Sequence, residues 1–130
     1  MPTETLVDRE LEEGRVLLEA IGKSDLLPPP KAALWYFATE MDEWRLMIQF
    51  PLSEQFHHTR AFERIERIRR TFGADFRLPL RKIALQSQHS PLVSTVRRKL
   101  SKSSGPKEGF HYIGERVGVD FIEDVYVYFI

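Results

Sequence analysis

The sequence predicts a single α+β domain over residues 1–130, in which a mostly antiparallel sheet of about five strands is covered by three helices. Apolar residues recur at helical spacing in three segments, and several other segments are apolar or alternating, as strands are. Two pairs of strand segments are close enough in sequence to form hairpins. The resulting order, α-β-β-α-β-α-β-β, favours an α+β fold over a doubly wound parallel sheet. A hydrophobic content of 42% is sufficient for one core.

The first predicted helix covers residues 5–21. Its apolar stripe follows helical spacings of four and three residues, and Gly14 lies on that stripe. Glycine inside a helix costs roughly 1 kcal/mol relative to alanine. We therefore expect another element to pack closely against Gly14. Three prolines at positions 28–30 then predict a stiff, extended connector.

Residues 32–38 and 44–50 predict two strands joined by a polar five-residue connection, which suits a hairpin. The first strand is apolar on both faces, and this favours an interior position in the sheet. In the second strand, alternation places Trp44, Leu46 and Ile48 on one face, and the other face is more polar.

The middle of the chain predicts a helix over residues 59–72, a strand over 82–87 and a helix from 91 to about 100. Arg60, Arg64 and Arg67 are expected to line the outward face of the first of these helices. Ser90 followed by Pro91 is typical of an N-cap with proline at the first helical position.

The chain is predicted to end in two strands, over residues 110–117 and 121–129. Alternation places Val125, Val127 and Phe129 on one face of the last strand. An exposed strand of this composition would be prone to aggregation. We therefore expect the last strand to be paired within the sheet.

The composition also predicts a compartment. The chain has no cysteine, which excludes disulfides and thiolate metal sites and favours a reducing environment. Its first residues are acidic and polar, unlike a signal or transit peptide. No apolar stretch approaches the ~20 residues of a membrane span. We expect a cytoplasmic protein that does not associate with membranes.

Charge is segregated along the chain although the formal net charge is zero. Residues 55–109 hold 13 basic and 4 acidic residues, a net charge of +9, whereas both flanking segments are acidic. Closely spaced cations bind phosphate backbones weakly and without sequence preference. The alternative is an ordinary charged face, partly neutralised by neighbouring carboxylates. The candidate anion-binding residues are Arg60, Arg64, Arg67, Arg97, Arg98, Lys99 and Lys102.

Catalytic chemistry has weaker support in the sequence. The four histidines show no HExxH pattern and no pair at i,i+4, and no phosphate-binding glycine loop or serine-nucleophile motif occurs. Acidic clusters at Glu40, Asp42 and Glu43 and at Glu123 and Asp124 would suit a divalent-metal nuclease if they met in space. We predict no catalytic residue, metal or cofactor.

The sequence therefore predicts a small, non-catalytic binding module whose partner is a protein or a polyanion, including weak, non-specific nucleic-acid binding. The acidic outward face of the first helix also allows self-association with the basic face of a second copy. The alternative is a divalent-metal-dependent enzyme that acts on phosphodiesters.

Overall fold

The computed structural model describes residues 6–51, 58–86, 90–102 and 108–130. Within these residues the helices and strands follow the predicted order, and a short 3-10 turn, Leu80–Lys82, precedes the third strand. The elements are α1 (Asp8–Lys23), β1 (Ala32–Ala38), β2 (Glu43–Gln49), α2 (His58–Arg70), β3 (Ile83–Gln86), α3 (Pro91–Ser101), β4 (Gly109–Val117) and β5 (Asp120–Phe129).

The strands form one mixed sheet in the order β3-β2-β1-β5-β4. The pairs β1–β2, β1–β5 and β4–β5 are antiparallel, whereas β2 and β3 are parallel. A parallel pair needs a crossover connection, and the chain segment between β2 and β3 contains α2. The α+β class and the mostly antiparallel sheet are thus confirmed, with the β2–β3 pair as the exception.

Helices cover the sheet on both sides. Residues of α1 and α2 share one apolar cluster with Trp35 and Phe37 of β1, and we call this side of the sheet the α1/α2 face. Residues of α3 share a second cluster with Leu34 and Val125, and we call this side the α3 face. Every residue of β1 is buried, which confirms the predicted interior position.

The closest approach of a helix to the sheet is at Gly14. A Cβ atom at this position would collide with the hydroxyl of Tyr128 and lie 3.1 Å from Nε1 of Trp35. Trp35 Nε1 donates a hydrogen bond to the Tyr128 hydroxyl at 2.8 Å, and that hydroxyl donates to the Leu11 carbonyl at 2.6 Å. The expected close packing at Gly14 is therefore confirmed.

The ends of α1 differ from the prediction. The helix begins at Asp8 and continues to Lys23, two residues beyond the predicted end.

Near the start of α1, Glu10 forms an ion pair with Lys82 at 3.1 Å, and both side chains are almost fully buried. This contact ties the beginning of α1 to the 3-10 turn before β3.

The last strand lies inside the sheet, between β1 and β4, as predicted. Val125 and Val127 are fully buried on the α3 face. Phe129 does not share that environment, because a register shift between β1 and β5 next to Val127 breaks the alternation and leaves Phe129 39% exposed. The prediction that these three side chains share one face was wrong for Phe129.

Gly14→Ala tests the close approach of α1 to the sheet. We expect a loss of about 1–3 kcal/mol in the free energy of unfolding, because the added methyl group forces Tyr128 from its position. Gly22→Ala is the matched control in the same helix, where a Cβ meets nothing within 4 Å. It should stabilise by up to about 1 kcal/mol. Thermal and urea unfolding measure the stability of both variants. If Gly14→Ala and Gly22→Ala shifted the free energy of unfolding in the same direction, this packing would be contradicted.

Candidate protein-interaction surface

The structure places the candidate cations on opposite sides of the sheet. Three belong to α2, which packs on the α1/α2 face, and four lie on or directly after α3, which packs on the α3 face. The two groups are therefore not parts of one surface. The α2 group is Arg60, Arg64 and Arg67, and the α3 group is Arg97, Arg98, Lys99 and Lys102.

Within the α2 group, Arg60 and Arg67 are exposed as predicted. Arg64 is half-buried and donates a hydrogen bond from Nη1 to the Leu26 carbonyl at 2.8 Å, so it ties α2 to the segment after α1. The expected outward position of Arg64 is therefore wrong. Arg70 adds a third exposed cation to α2, although its Nε lies 3.3 Å from the carboxylate of Glu66.

Within the α3 group, two cations are already paired. Arg98 lies 2.6 Å and Lys99 3.4 Å from the carboxylate of Glu115 on β4. Arg97 is exposed, and Lys102 is the exposed C-cap residue of α3. The electropositive character of α3 is therefore reduced by its own neighbour in the sheet.

The two acidic clusters have separate structural roles. Glu40 Oε2 accepts a hydrogen bond from the Phe121 backbone N–H at 2.9 Å, which lowers the pKa of Glu40. Asp42 occupies the β1–β2 turn with a positive φ of 53°. Asp124 of β5 is the cross-strand partner of Phe37 of β1. Across the part of the chain that the structure describes, no group of three or more His, Asp or Glu side chains is arranged to hold a metal ion.

Of the four histidines, only His111 has a side chain within the described residues. His57 and His89 lie outside the described residues, and so does the side chain of His58. His111 lies on β4 opposite Val125 of β5.

Among the residues that the structure describes, the most exposed aromatic side chains lie on β4, an outer strand of the sheet. Phe110 is 53% and Tyr112 is 74% exposed. The Phe110 ring lies 4.8 Å from the ring of Tyr126, which packs against the α1/α2 cluster. Tyr112 follows two positions later and points to the same side by strand alternation. Both therefore extend the α1/α2 face beyond the area covered by α1.

Helix α1 stops short of these residues because it is anchored over β1 and β5. Its contacts there are the hydrogen bond from Tyr128 to Leu11 and the position of Arg15, whose guanidinium lies 5.5 Å from the centre of the Tyr128 ring. Arg15 also pairs with Glu108 at 2.9 Å, just before β4 begins. Phe110 and Tyr112 consequently form an uncovered aromatic surface at the margin of the sheet.

A β-bulge defines the far end of this surface. The register between β4 and β5 shifts between Tyr112 and Glu115, and Gly114 has a positive φ of 56°. A Cβ at Gly114 would collide with the ring of Tyr112, so this ring lies close over the glycine backbone. Residues 109–112 precede the bulge and keep a regular register with β5.

Asp124 lies beside the aromatic surface. It is the cross-strand partner of Tyr112, so their Cβ atoms are about 5 Å apart. Burial raises the pKa of the Asp124 carboxyl, and the neighbouring charge of Glu123 raises it further. A hydrogen bond from the Val125 N–H and the nearby His111 act in the opposite direction. No Lys or Arg of the described residues forms an ion pair with Asp124.

Comparison with known proteins adds no family: no protein-family model, curated protein or solved structure matches the chain. None of the helices that the structure describes is both long and apolar enough to span a bilayer.

Sequence reasoning identified the acidic residues of this surface but missed its aromatic ones. Phe110 and Tyr112 belong to a predicted strand, and their spacing of two already places them on one face. Their exposure depends on the position of β4 at the edge of the sheet, which the local pattern does not encode.

Asp124→Asn tests whether the Asp124 carboxylate is energetically unfavourable in the fold. Because the folded pKa is raised, the ionised form destabilises the native state at neutral pH. The amide should raise the melting temperature at pH 7, and the gain should narrow as pH falls and vanish below the ordinary carboxyl pKa of 3.8. Asp75→Asn, at an exposed turn, is the control and should change little. A lower melting temperature for Asp124→Asn at pH 7 would contradict the argument.

Charge reversal tests which basic group carries polyanion binding. We expect weak binding to single-stranded DNA that falls steeply with salt through counterion release. Arg60→Glu with Arg67→Glu should weaken it, whereas the matched pair Arg97→Glu with Lys102→Glu on the opposite face should not. Fluorescence anisotropy at low and physiological salt measures both. Equal weakening by the two pairs, or no salt dependence, would argue against α2 as the polyanion-binding element.

Proposed function

We propose that this chain is a small, non-catalytic binding module that docks a partner protein along strand β4. The observation that carries the proposal is the exposure of Phe110 and Tyr112, at 53% and 74%, on an outer strand. Aromatic side chains are enriched in the cores of protein interfaces. We place the module in the cytoplasm, because a chain without cysteine suits a reducing compartment.

The form of this surface supports a protein partner. An outer strand offers backbone N–H and C=O groups to an added strand, and neighbouring side chains supply specificity. On the α1/α2 face the rest of the sheet is covered, since Trp35, Phe37 and Trp44 are 0%, 2% and 4% exposed. The exposed apolar surface of this face thus increases towards β4, where a partner can approach without displacing α1.

The arrangement of cations favours this proposal over polyanion binding as the main function. The two basic groups lie on opposite faces, and Arg98 and Lys99 are paired with Glu115. The exposed cations that remain on α2 are Arg60, Arg67 and Arg70. A single helix with three exposed arginines supports weak electrostatic association but no large interface.

Site-specific photo-crosslinking in cells of the native host tests the proposed surface. A benzophenone amino acid in place of Tyr112 keeps an aromatic ring at this position, and we expect it to form discrete adducts with a partner protein. The same amino acid in place of Arg97, exposed on the opposite face, is the matched control and should form none.

A second substitution makes the crosslinking result specific to the surface. Phe110→Ser in the chain that carries the crosslinker should abolish the adducts, provided that its melting curve still shows a folded protein. Adducts of equal yield at both positions, no adducts at position 112, or adducts that persist with Phe110→Ser would each overturn the proposal.

A further inference from the structure

The charge around the aromatic surface indicates the chemistry of the partner. Residues 108–130 contain five acidic residues against one basic residue, Arg116, a net charge of −4. Some of these charges are compensated within the fold. Glu108 pairs with Arg15, and Glu115 pairs with two cations of α3. The acidic residues of this segment are Glu108, Glu115, Asp120, Glu123 and Asp124.

Part of the remaining negative charge lies next to the aromatic rings. Asp124 is the cross-strand partner of Tyr112, and neither it nor Glu123 pairs with a Lys or Arg of the described residues. The Asp124 carboxylate is also partly buried, and His111 lies nearby. A carboxylate beside exposed aromatic faces suits a cation, because rings attract lysine and arginine through their quadrupoles. The same combination disfavours an acidic partner.

We propose that the partner segment is a basic, extended strand that pairs with β4 and lays a lysine or arginine side chain across Phe110 and Tyr112 towards Asp124. This inference rests on the proposed function and specifies the partner of the same surface. Self-association through this surface is less favoured, because both copies would bring the same excess of negative charge to the contact.

Strand geometry brings the groups within reach of one another. Neighbouring strands are about 4.8 Å apart, so a strand added beside β4 has its backbone about 10 Å from β5. A lysine or arginine that points to the α1/α2 face crosses β4 over the two rings and meets the side chain of Asp124 near its end. Side chains on the other face of the added strand approach His111 and Ile113, which belong to the side covered by α3.

The bulge limits the length of the added strand. Residues 109–112 are regular, whereas the shift before Glu115 turns the rest of β4 out of register. Bulges are known to blunt sheet edges against pairing. The partner therefore pairs with about four residues of β4, and its affinity depends on side-chain contacts as much as on backbone hydrogen bonds.

Labelled octapeptides test the inference with the full chain by fluorescence anisotropy. The first alternates threonine with lysine and arginine, the second replaces each cation with glutamate, and the third is the basic peptide with N-methylated central amides. We expect the basic peptide to bind about tenfold or more tightly than the acidic one. N-methylation should weaken binding strongly, because it removes the donors that pair with β4.

Substitutions on the protein localise the binding. Asp124→Asn should weaken binding of the basic peptide about two- to fivefold, the range of a solvent-accessible ion pair. Asp75→Asn should leave the affinity for this peptide unchanged. Tyr112→Ala, at the more exposed of the two rings, should weaken it further. Melting curves establish that each variant is folded.

The outcomes separate this inference from the proposed function. Equal binding of the acidic and basic peptides, an unchanged affinity with Asp124→Asn, or tight binding of the N-methylated peptide would overturn the basic-strand inference. Such results leave the docking surface intact if crosslinking at position 112 still succeeds. Failure of that crosslinking overturns the docking surface itself.

Discussion

The hydrogen-bond chain from Trp35 through Tyr128 to the Leu11 carbonyl fixes the relative positions of the central strand, the last strand and the first helix. It forms only because residue 14 is glycine, which lets α1 approach the sheet to the distance of a hydroxyl contact. A buried indole N–H and a buried tyrosine hydroxyl must both be satisfied: the Trp35 N–H donates to the Tyr128 hydroxyl, and this hydroxyl donates to the Leu11 carbonyl. The burial also raises the pKa of Tyr128, so the phenol stays protonated and remains a donor. This anchoring of α1 over β1 and β5 leaves the α1/α2 face of β4 uncovered.

Most of the secondary structure could be predicted from the sequence because each element has a strong local signal. The Ser90–Pro91 start of α3 is an example: the Ser90 hydroxyl accepts a hydrogen bond from the Val93 N–H at 3.2 Å. The parallel pairing of β2 with β3 could not be predicted in this way, since it depends on how the chain crosses between them. The position of Phe129 depends on a register shift, which breaks the period of two on which alternation arguments rely.

The candidate site was less predictable than the fold for the same physical reason. Cations close in sequence, such as those of α2 and α3, lie on opposite sides of the sheet because each helix packs on a different face. Phenylalanine is usually a core residue. The 53% exposure of Phe110 follows from the strand order and from the position of α1, which does not extend over β4. The sequence shows that residue 124 is acidic, but the environment of Asp124 depends on its cross-strand partner Tyr112. Surfaces made by several strands are properties of the topology.

The position of β5 between β1 and β4 has a consequence for synthesis on the ribosome. The β1–β2 hairpin is complete once residue 49 has emerged, but the other edge of β1 waits for a strand that ends at residue 129. At a translation rate of about 5–20 residues per second, the 80 residues in between take roughly 4–16 s. During that interval a nascent chain displays Leu34, Trp35 and their neighbours along an unpaired, fully apolar edge. Nascent-chain chaperones would therefore encounter this edge of β1 before β5 has been synthesised.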